Sequence, residues 1–234
     1  MLKLIRQIYF SLMIVLTSII CLPIACLRPF NYKNTGLFLK IFHLLALPIG
    51  LRGEVLNADK LENAHPSIFI GNHQDNLDIW VASFAFQERI VALGKKEILL
   101  IPFFGLFFGL SGNIFINRKN KTKARQSLEK VKHTLHKNKI SVVIFPEGHR
   151  NPSKKLLPFK KGAFFTAIQA GLPITIFAIS RYTQNIDLNK KIHSKIKISF
   201  LDPIPTTGLT IDDIPALIEK CSALLENEIQ RISS

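Results

Sequence analysis

Two residues set five apart, His73 and Asp78 in "NHQDNLDIW" (72–80), are the first in this sequence whose types suggest a reaction. An imidazole can take up a proton near neutral pH, and a carboxylate can hold that ring in one tautomer. A separation of five is roughly 500° of rotation on a helix of 3.6 residues per turn, so a continuous helix would splay the two side chains apart. They can meet only across a turn. The apolar run "SIFIG" (67–71) before them predicts a strand ending near Gly71, a turn carrying His73 and a helix beginning near Asp78. Asn72, Asp75 and Asn76 are ordinary turn and cap formers, so the spacing alone leaves a plain turn open.

A second group lies in "VIFPEGHR" (143–150), where Pro146, Glu147, Gly148, His149 and Arg150 follow an apolar run. Gly148 allows a positive φ or a close backbone approach, and the planar fork of Arg150 suits a phosphate. "NIFINR" (113–118) similarly ends an apolar run on Arg118. Ligands of open α/β sheets bind beyond the C-terminal ends of strands, so these turns could face one crevice with His73. Each arginine alone reads equally as a solvated surface charge.

The elements that must carry these groups have the texture of an α/β domain from residue 53 onward. Short apolar runs at 67–71, 90–94, 113–117, 141–145 and 174–180 predict strands, and "SKIKISF" (194–200) alternates like a strand wet on one face. Residues 121–137 place Ala124, Leu128, Val131 and Leu135 on one helical face; 211–229 do the same behind a Thr210–Asp213 cap. The expected fold is α/β, with a central mixed, largely parallel sheet flanked by helices. "RGEVLNADKLENAHP" (52–66) reads as a linker.

Residues 8–27 form a charge-free apolar run of twenty, between Lys3 and Arg6 on one side and Arg28 on the other. That length matches a hydrocarbon core, with a signal peptide as the competing reading. A second apolar stretch, 36–51, follows "RPFNYKNT", so the expected division is a membrane-associating helical hairpin over 1–52 and an α/β domain over 53–234. The stretch 98–116 is also without charge, but Pro102, Gly105, Gly109 and Gly112 weaken it as a helix. It reads either as buried core or as an apolar wall that meets lipid.

Over 234 residues the formal charge is +15, which implies an anionic partner: nucleic acid, a membrane surface or a phosphorylated substrate. No basic stripe interleaved with aromatics appears, and a nucleic-acid binder would leave the apolar N-terminus unexplained. Cys21, Cys26 and Cys221 lie outside the motifs and make no CxxC pair, which argues against a disulfide framework, a zinc site or a cysteine nucleophile. No GxSxG elbow is present either.

The ordered set "NHQDNLD", "GNIFINR", "FPEGHR", "LLPFKKGAF" and "AGLPITIFAIS" resembles the blocks of the glycerolipid acyltransferases, specifically the bacterial 1-acyl-sn-glycerol-3-phosphate acyltransferases. The similarity runs from about residue 36 to 205, with roughly seventy residues between the first and third blocks. It implies that His73 is the general base and Asp78 its orienting carboxylate in an HX4D motif. Arg118 and Arg150 would grip the substrate phosphate, Glu147 and Gly148 would help place the glycerol, and Pro173 would lie on the acyl-donor side. His149 departs from the threonine common at that position. The implied reaction carries a fatty acyl group from acyl-CoA or acyl carrier protein to lysophosphatidate, on membrane lipid at the cytoplasmic face of the bacterial inner membrane, without nucleic acid, cofactor or metal. Other lysolipids or glycerol 3-phosphate are the alternative acceptors, and a non-catalytic lipid-binding protein is the alternative class.

Overall fold

The computed structural model describes residues 1–86, 89–116, 135, 139–153, 155–191 and 195–233. The helix expected over 121–137 lies outside these residues except at Leu135, which is buried. Seven strands form one sheet: β1 (Arg52–Leu56), β2 (Ile68–Gly71), β3 (Ile90–Lys95), β4 (Ile114–Ile116), β5 (Ser141–Ile144), β6 (Ile174–Ile179) and β7 (Lys195–Phe200). Their order is β1-β7-β6-β2-β5-β3-β4, parallel throughout except where β6 meets β7. The mixed, largely parallel sheet is the one the apolar runs predict.

The central strands read as unbroken apolar runs because both of their faces are covered. On β2, Ile68 and Ile70 join one core while Phe69 joins the other, and β6 divides its residues in the same way. The first face carries α1 (Leu2–Leu27), α2 (Lys33–Ala46), α4 (Asp78–Ala85) and α5 (Phe104–Leu110). Phe69, Phe86, Phe177 and Phe200 meet there edge to face, each contributing about 1.5–3 kcal/mol by burial. The second face carries α6 (Gly162–Ala170) and α8 (Ile214–Ser233); α3 (Ala58–Glu62) and α7 (Tyr182–Asn185) are short connectors. Thr210 and Asp213 form the expected capping box ahead of α8, whose Ile214, Leu217, Cys221, Leu225 and Ile229 face inward.

Two expectations change. The segment read as a linker contains β1 and α3. β1 is an edge strand with only β7 as partner, and "RGEVL" is half wet, so it lacks the apolar run that betrays a central strand. The stretch 98–116 is partly buried core and partly apolar surface, the two readings its composition allows: a 3₁₀ turn (Lys96–Leu100), α5 and β4 divide it. Phe104, Phe107 and Phe108 are buried there, while Leu99, Leu100, Phe103 and Leu106 stay exposed. The N-terminus holds one helix long and apolar enough to cross a membrane, α1. α2 is shorter and puts Phe38, Phe42 and Ala46 into the core, against α4 and α5.

Candidate active site

Three loops leave the same edge of the sheet. β6, β2 and β5 are parallel neighbours, so the segments after Ile179, Gly71 and Ile144 emerge side by side. Asn72 pins the first of them: its side chain donates to Ile179 O at 2.9 Å and accepts from Ile179 N at 2.8 Å. His73 comes next, and α4 starts at Asp78 as the turn geometry requires.

His73 Nδ1 lies 2.5 Å from Asp78 Oδ2. The same oxygen accepts the backbone N–H of Gln74 at 2.8 Å and of Asp75 at 3.2 Å. An ionised carboxylate only accepts, so Nδ1 must donate, and the neutral ring carries its lone pair on Nε2. The ring stacks on Phe145 with centroids 4.1 Å apart and planes 13° apart, which fixes its orientation. Asp78 is buried, whereas the His73 side chain keeps 22% of its surface. The resulting arrangement is a buried acceptor behind a partly open base.

The ring lines a cavity of about 1140 Å³ that also receives Gly148, His149 and Arg150 from the loop after β5. Its other wall is apolar, built from Phe10 and Ile14 of α1 with Ile98, Ile101, Phe104 and Phe108. Lys3 and Arg6 also line it, and Arg6 Nη1 donates to Leu188 O at 2.8 Å and Lys190 O at 2.7 Å. Gly148 has φ +78°, and Lys160 packs so close that a Cβ would stand 2.7 Å from its Nζ. Lys160 Nζ lies 3.4 Å from His149 Nε2.

Of the residues singled out in the sequence, His73, Asp78, Gly148 and Arg150 come together. Arg118 lies outside the described residues. Glu147 is near but turned inward, and it does not line the cavity. Its Oε1 accepts His73 N at 3.1 Å, and its Oε2 accepts Asn151 Nδ2 at 2.7 Å and Leu157 N at 2.9 Å. A carboxylate with three such donors ties the loops after β2 and β5 together. Pro173 is at the opposite edge, ahead of β6, where its carbonyl accepts from Ile68 N and Ser67 Oγ. Roughly 20 Å of strand separate it from the His73 end. Phe145, Asn151 and Tyr182 escaped the sequence reading. Phe145 and Asn151 could have been found from their places beside the third block; Tyr182, 104 residues from Asp78, left no signal in spacing.

The acyltransferase family model matches residues 52–180, more than half of the chain and all of the HX4D geometry. This chain belongs to the acyltransferase family. Among curated members it is 35% identical over 232 residues to the 1-acyl-sn-glycerol-3-phosphate acyltransferase of Haemophilus influenzae, covering 99% of this chain and 97% of that one. The Escherichia coli protein of the same name is 37% identical over 228 residues, covering 97% and 91%. A human relative, 1-acyl-sn-glycerol-3-phosphate acyltransferase beta, is 34% identical over 205 residues, covering 87% and 73%. The crystal structure of the 1-acyl-sn-glycerophosphate acyltransferase from Thermotoga maritima superposes with a TM-score of 0.75 at 20% identity, covering 100% of this chain and 95% of that one. That likeness concerns the acyltransferase fold, and it includes the N-terminal helices.

Proposed function

We propose that this acyltransferase esterifies the 2-hydroxyl of lysophosphatidate with a fatty acyl group from an acyl thioester, acyl-CoA or acyl carrier protein, and so forms phosphatidate. The observation that carries the reading is the His73–Asp78 pair, with the His73 ring lining a cavity shared by basic and apolar side chains. The full-length agreement with proteins of that name supports the acceptor.

The chemistry follows from those atoms. Nε2 of His73 accepts the proton of the acceptor hydroxyl as its oxygen attacks the thioester carbonyl, and Asp78 stabilises the imidazolium that forms. The tetrahedral intermediate then expels the thiolate, which takes the proton from His73 and leaves as the thiol. A thioester is activated enough for direct attack, so no acyl-enzyme is needed. Cys21 and Cys221 are buried and Cys26 is exposed on α1, and none lines the cavity. Arg150 supplies charge for the acceptor phosphate, with Arg118 as its expected partner. Glu147 acts by holding the backbone of His73 against the loop that bears Arg150.

The apolar wall serves the acyl chains, and its outer side serves attachment. Ile5, Ile8, Leu12, Leu16 and Ile19 of α1 are exposed, as are Leu99, Leu100 and Phe103 ahead of α5, which packs on α1. We read this face as lying on the cytoplasmic leaflet of the bacterial inner membrane, with residues 1–52 as the attachment region and 53–234 as the catalytic region. α1 keeps Phe10, Cys21 and Ala25 in the core and walls the cavity, which favours a helix in the plane of the interface over a removable leader or a free span. The test is turnover by purified protein in detergent, with radiolabelled lysophosphatidate, other lysolipids and glycerol 3-phosphate as acceptors and a panel of acyl-CoAs. Phosphatidate is the expected product. Acylation of glycerol 3-phosphate alone would replace the assignment.

A further inference from the structure

We infer that Tyr182 is a positioning residue of the acyl transfer, one whose hydroxyl sets the rotation of the Asp78 carboxylate and draws off part of its charge. The inference rests on His73 being the base. Tyr182 opens α7, immediately beyond β6, and its side chain is 2% exposed. Its hydroxyl donates to Asp78 Oδ1 at 2.6 Å. The two carboxylate oxygens are thereby given different work. Oδ2 takes His73 Nδ1 and two backbone N–H groups, while Oδ1 has Tyr182 as its only donor among the described residues.

A carboxylate rotates freely about its terminal torsion unless both oxygens are engaged. Without the hydroxyl, Oδ1 would be buried and unpaired, while Oδ2, still held by two backbone N–H groups, would offer more of the carboxylate charge to His73 Nδ1. The segment that bears Tyr182 is fastened for this purpose. Gln74 Nε2 donates to Ser180 O at 2.9 Å, Arg181 Nη2 pairs with Glu226 at 2.7 Å, and Arg181 N donates to Ser233 Oγ at 3.0 Å. Burial first, and then the Asp78 charge, push the Tyr182 hydroxyl well above the usual phenol range, so it remains a proton donor through any working pH.

A hydrogen bond to a carboxylate lowers the charge it offers its other partner. Tyr182 therefore makes Asp78 a weaker stabiliser of the His73 imidazolium than it would be alone, a difference that the acid limb of turnover reads out. The other charged groups around the pair, among the described residues, are Asp75 on the same turn, Glu147, His149 and Arg150 on the loop after β5, Lys95 at the end of β3, Asp187 beyond α7, and Lys3 and Arg6 from α1. All of them are unchanged by substitution of the tyrosine.

The experiment compares the full chain in detergent with Tyr182→Phe and with 3-fluorotyrosine incorporated at position 182, measuring kcat and KM for lysophosphatidate and acyl-CoA from about pH 5.5 to 9. The phenylalanine variant should keep both KM values within about twofold, while the acid limb of kcat moves up by about half a pH unit or more. The more acidic fluorophenol donates more strongly, so its acid limb should move down. Opposite shifts are not produced by loss of packing, which lowers the whole profile. An acid limb that stays in place in both proteins would overturn the inference, and the fluorinated protein decides alone if Tyr182→Phe fails to fold. His73→Ala is measured alongside. If it is inactive while the Tyr182 variants leave the limb unmoved, only the inference about Tyr182 falls; if it keeps the full rate, the base assignment falls and takes the inference with it.

Discussion

Replacing Asp78 by Asn changes one atom's chemistry, and the geometry dictates how the amide must sit. Three donors converge on Oδ2, so only the amide oxygen can occupy that place; the amide nitrogen then takes the Oδ1 place, where the Tyr182 oxygen can accept from it. His73 thus keeps its Nδ1–H tautomer. What is lost is the negative charge beside the ring at the moment it takes the hydroxyl proton. Two unit charges 4 Å apart interact by about 4 kcal/mol at an effective dielectric near 20, and the partly open ring reduces this to about 2–4 kcal/mol. The expected fall in kcat is therefore about 30- to 1000-fold, with KM for both substrates little changed. His73→Ala, which removes the base, should lose about 10²- to 10⁴-fold, so Asp78→Asn should be no worse. The assay is steady-state transfer from acyl-CoA to lysophosphatidate, with a thermal melt to show that each variant is folded. A folded Asp78→Asn protein within threefold of the parent rate, or one damaged only in KM, would refute the role given to this carboxylate.

Arg150→Ala should lower kcat/KM for lysophosphatidate by about 10- to 150-fold and leave monoacylglycerol nearly untouched, which a comparison of the two acceptors measures. Glu147→Gln places an amide N–H₂ against donors already converging on a buried carboxylate; it should destabilise by about 1–3 kcal/mol in melts and slow both acceptors alike. Ile8→Glu with Leu12→Glu, both on the exposed face of α1, should weaken partition to anionic vesicles more than about tenfold, read by co-sedimentation, while activity on detergent-dispersed substrate persists. Ser141 Oγ accepts Ser67 N–H and lies 2.7 Å from His65 Nδ1, while burial and then Arg89 hold His65 below its ordinary 6.5. Stability from this histidine is present above that value and lost as pH falls, so melts should decline below about pH 6.5 and His65→Asn should flatten the decline.

His73 and Asp78 were legible because one turn joins them: the apolar run fixes where the strand ends, and the spacing of five forbids every geometry but a reach across the turn. Arg150 and Gly148 were legible as a strand exit. Glu147 was read by type but not by direction. A charged residue in a loop normally faces water, and only the sheet order, which sets the exits of β2 and β5 side by side, brings the donors that turn it inward. Tyr182 had no signature at all, since its contact with Asp78 depends on β6 being the other neighbour of β2. β1 was missed for an energetic reason: an edge strand buries one face at most and needs no apolar run.

The position of α1 joins the chemistry to the lipid. Its inner face, through Phe10 and Ile14, closes the same cavity that His73 opens into, and its outer face is a row of aliphatic side chains. A lysophospholipid and a long acyl thioester both carry chains that cost about 0.8 kcal/mol per CH₂ to hold in water. An enzyme that drew them into an aqueous cleft would work against that gradient at every methylene. On the proposed reading, with α1 as a shared wall, the chains need pass only from the bilayer side of one helix to its cavity side, while the phosphate stays with Arg150. α2 explains why this wall is firm: Phe42 meets Phe10 edge-on, and Tyr9 donates to Leu45 O at 2.7 Å. Deleting the N-terminal helices would therefore remove membrane attachment, one side of the cavity and part of the core together, so its loss of activity could not be assigned to any one of them. Charge placed on the outer face alone separates attachment from catalysis, because those side chains touch neither His73 nor the core.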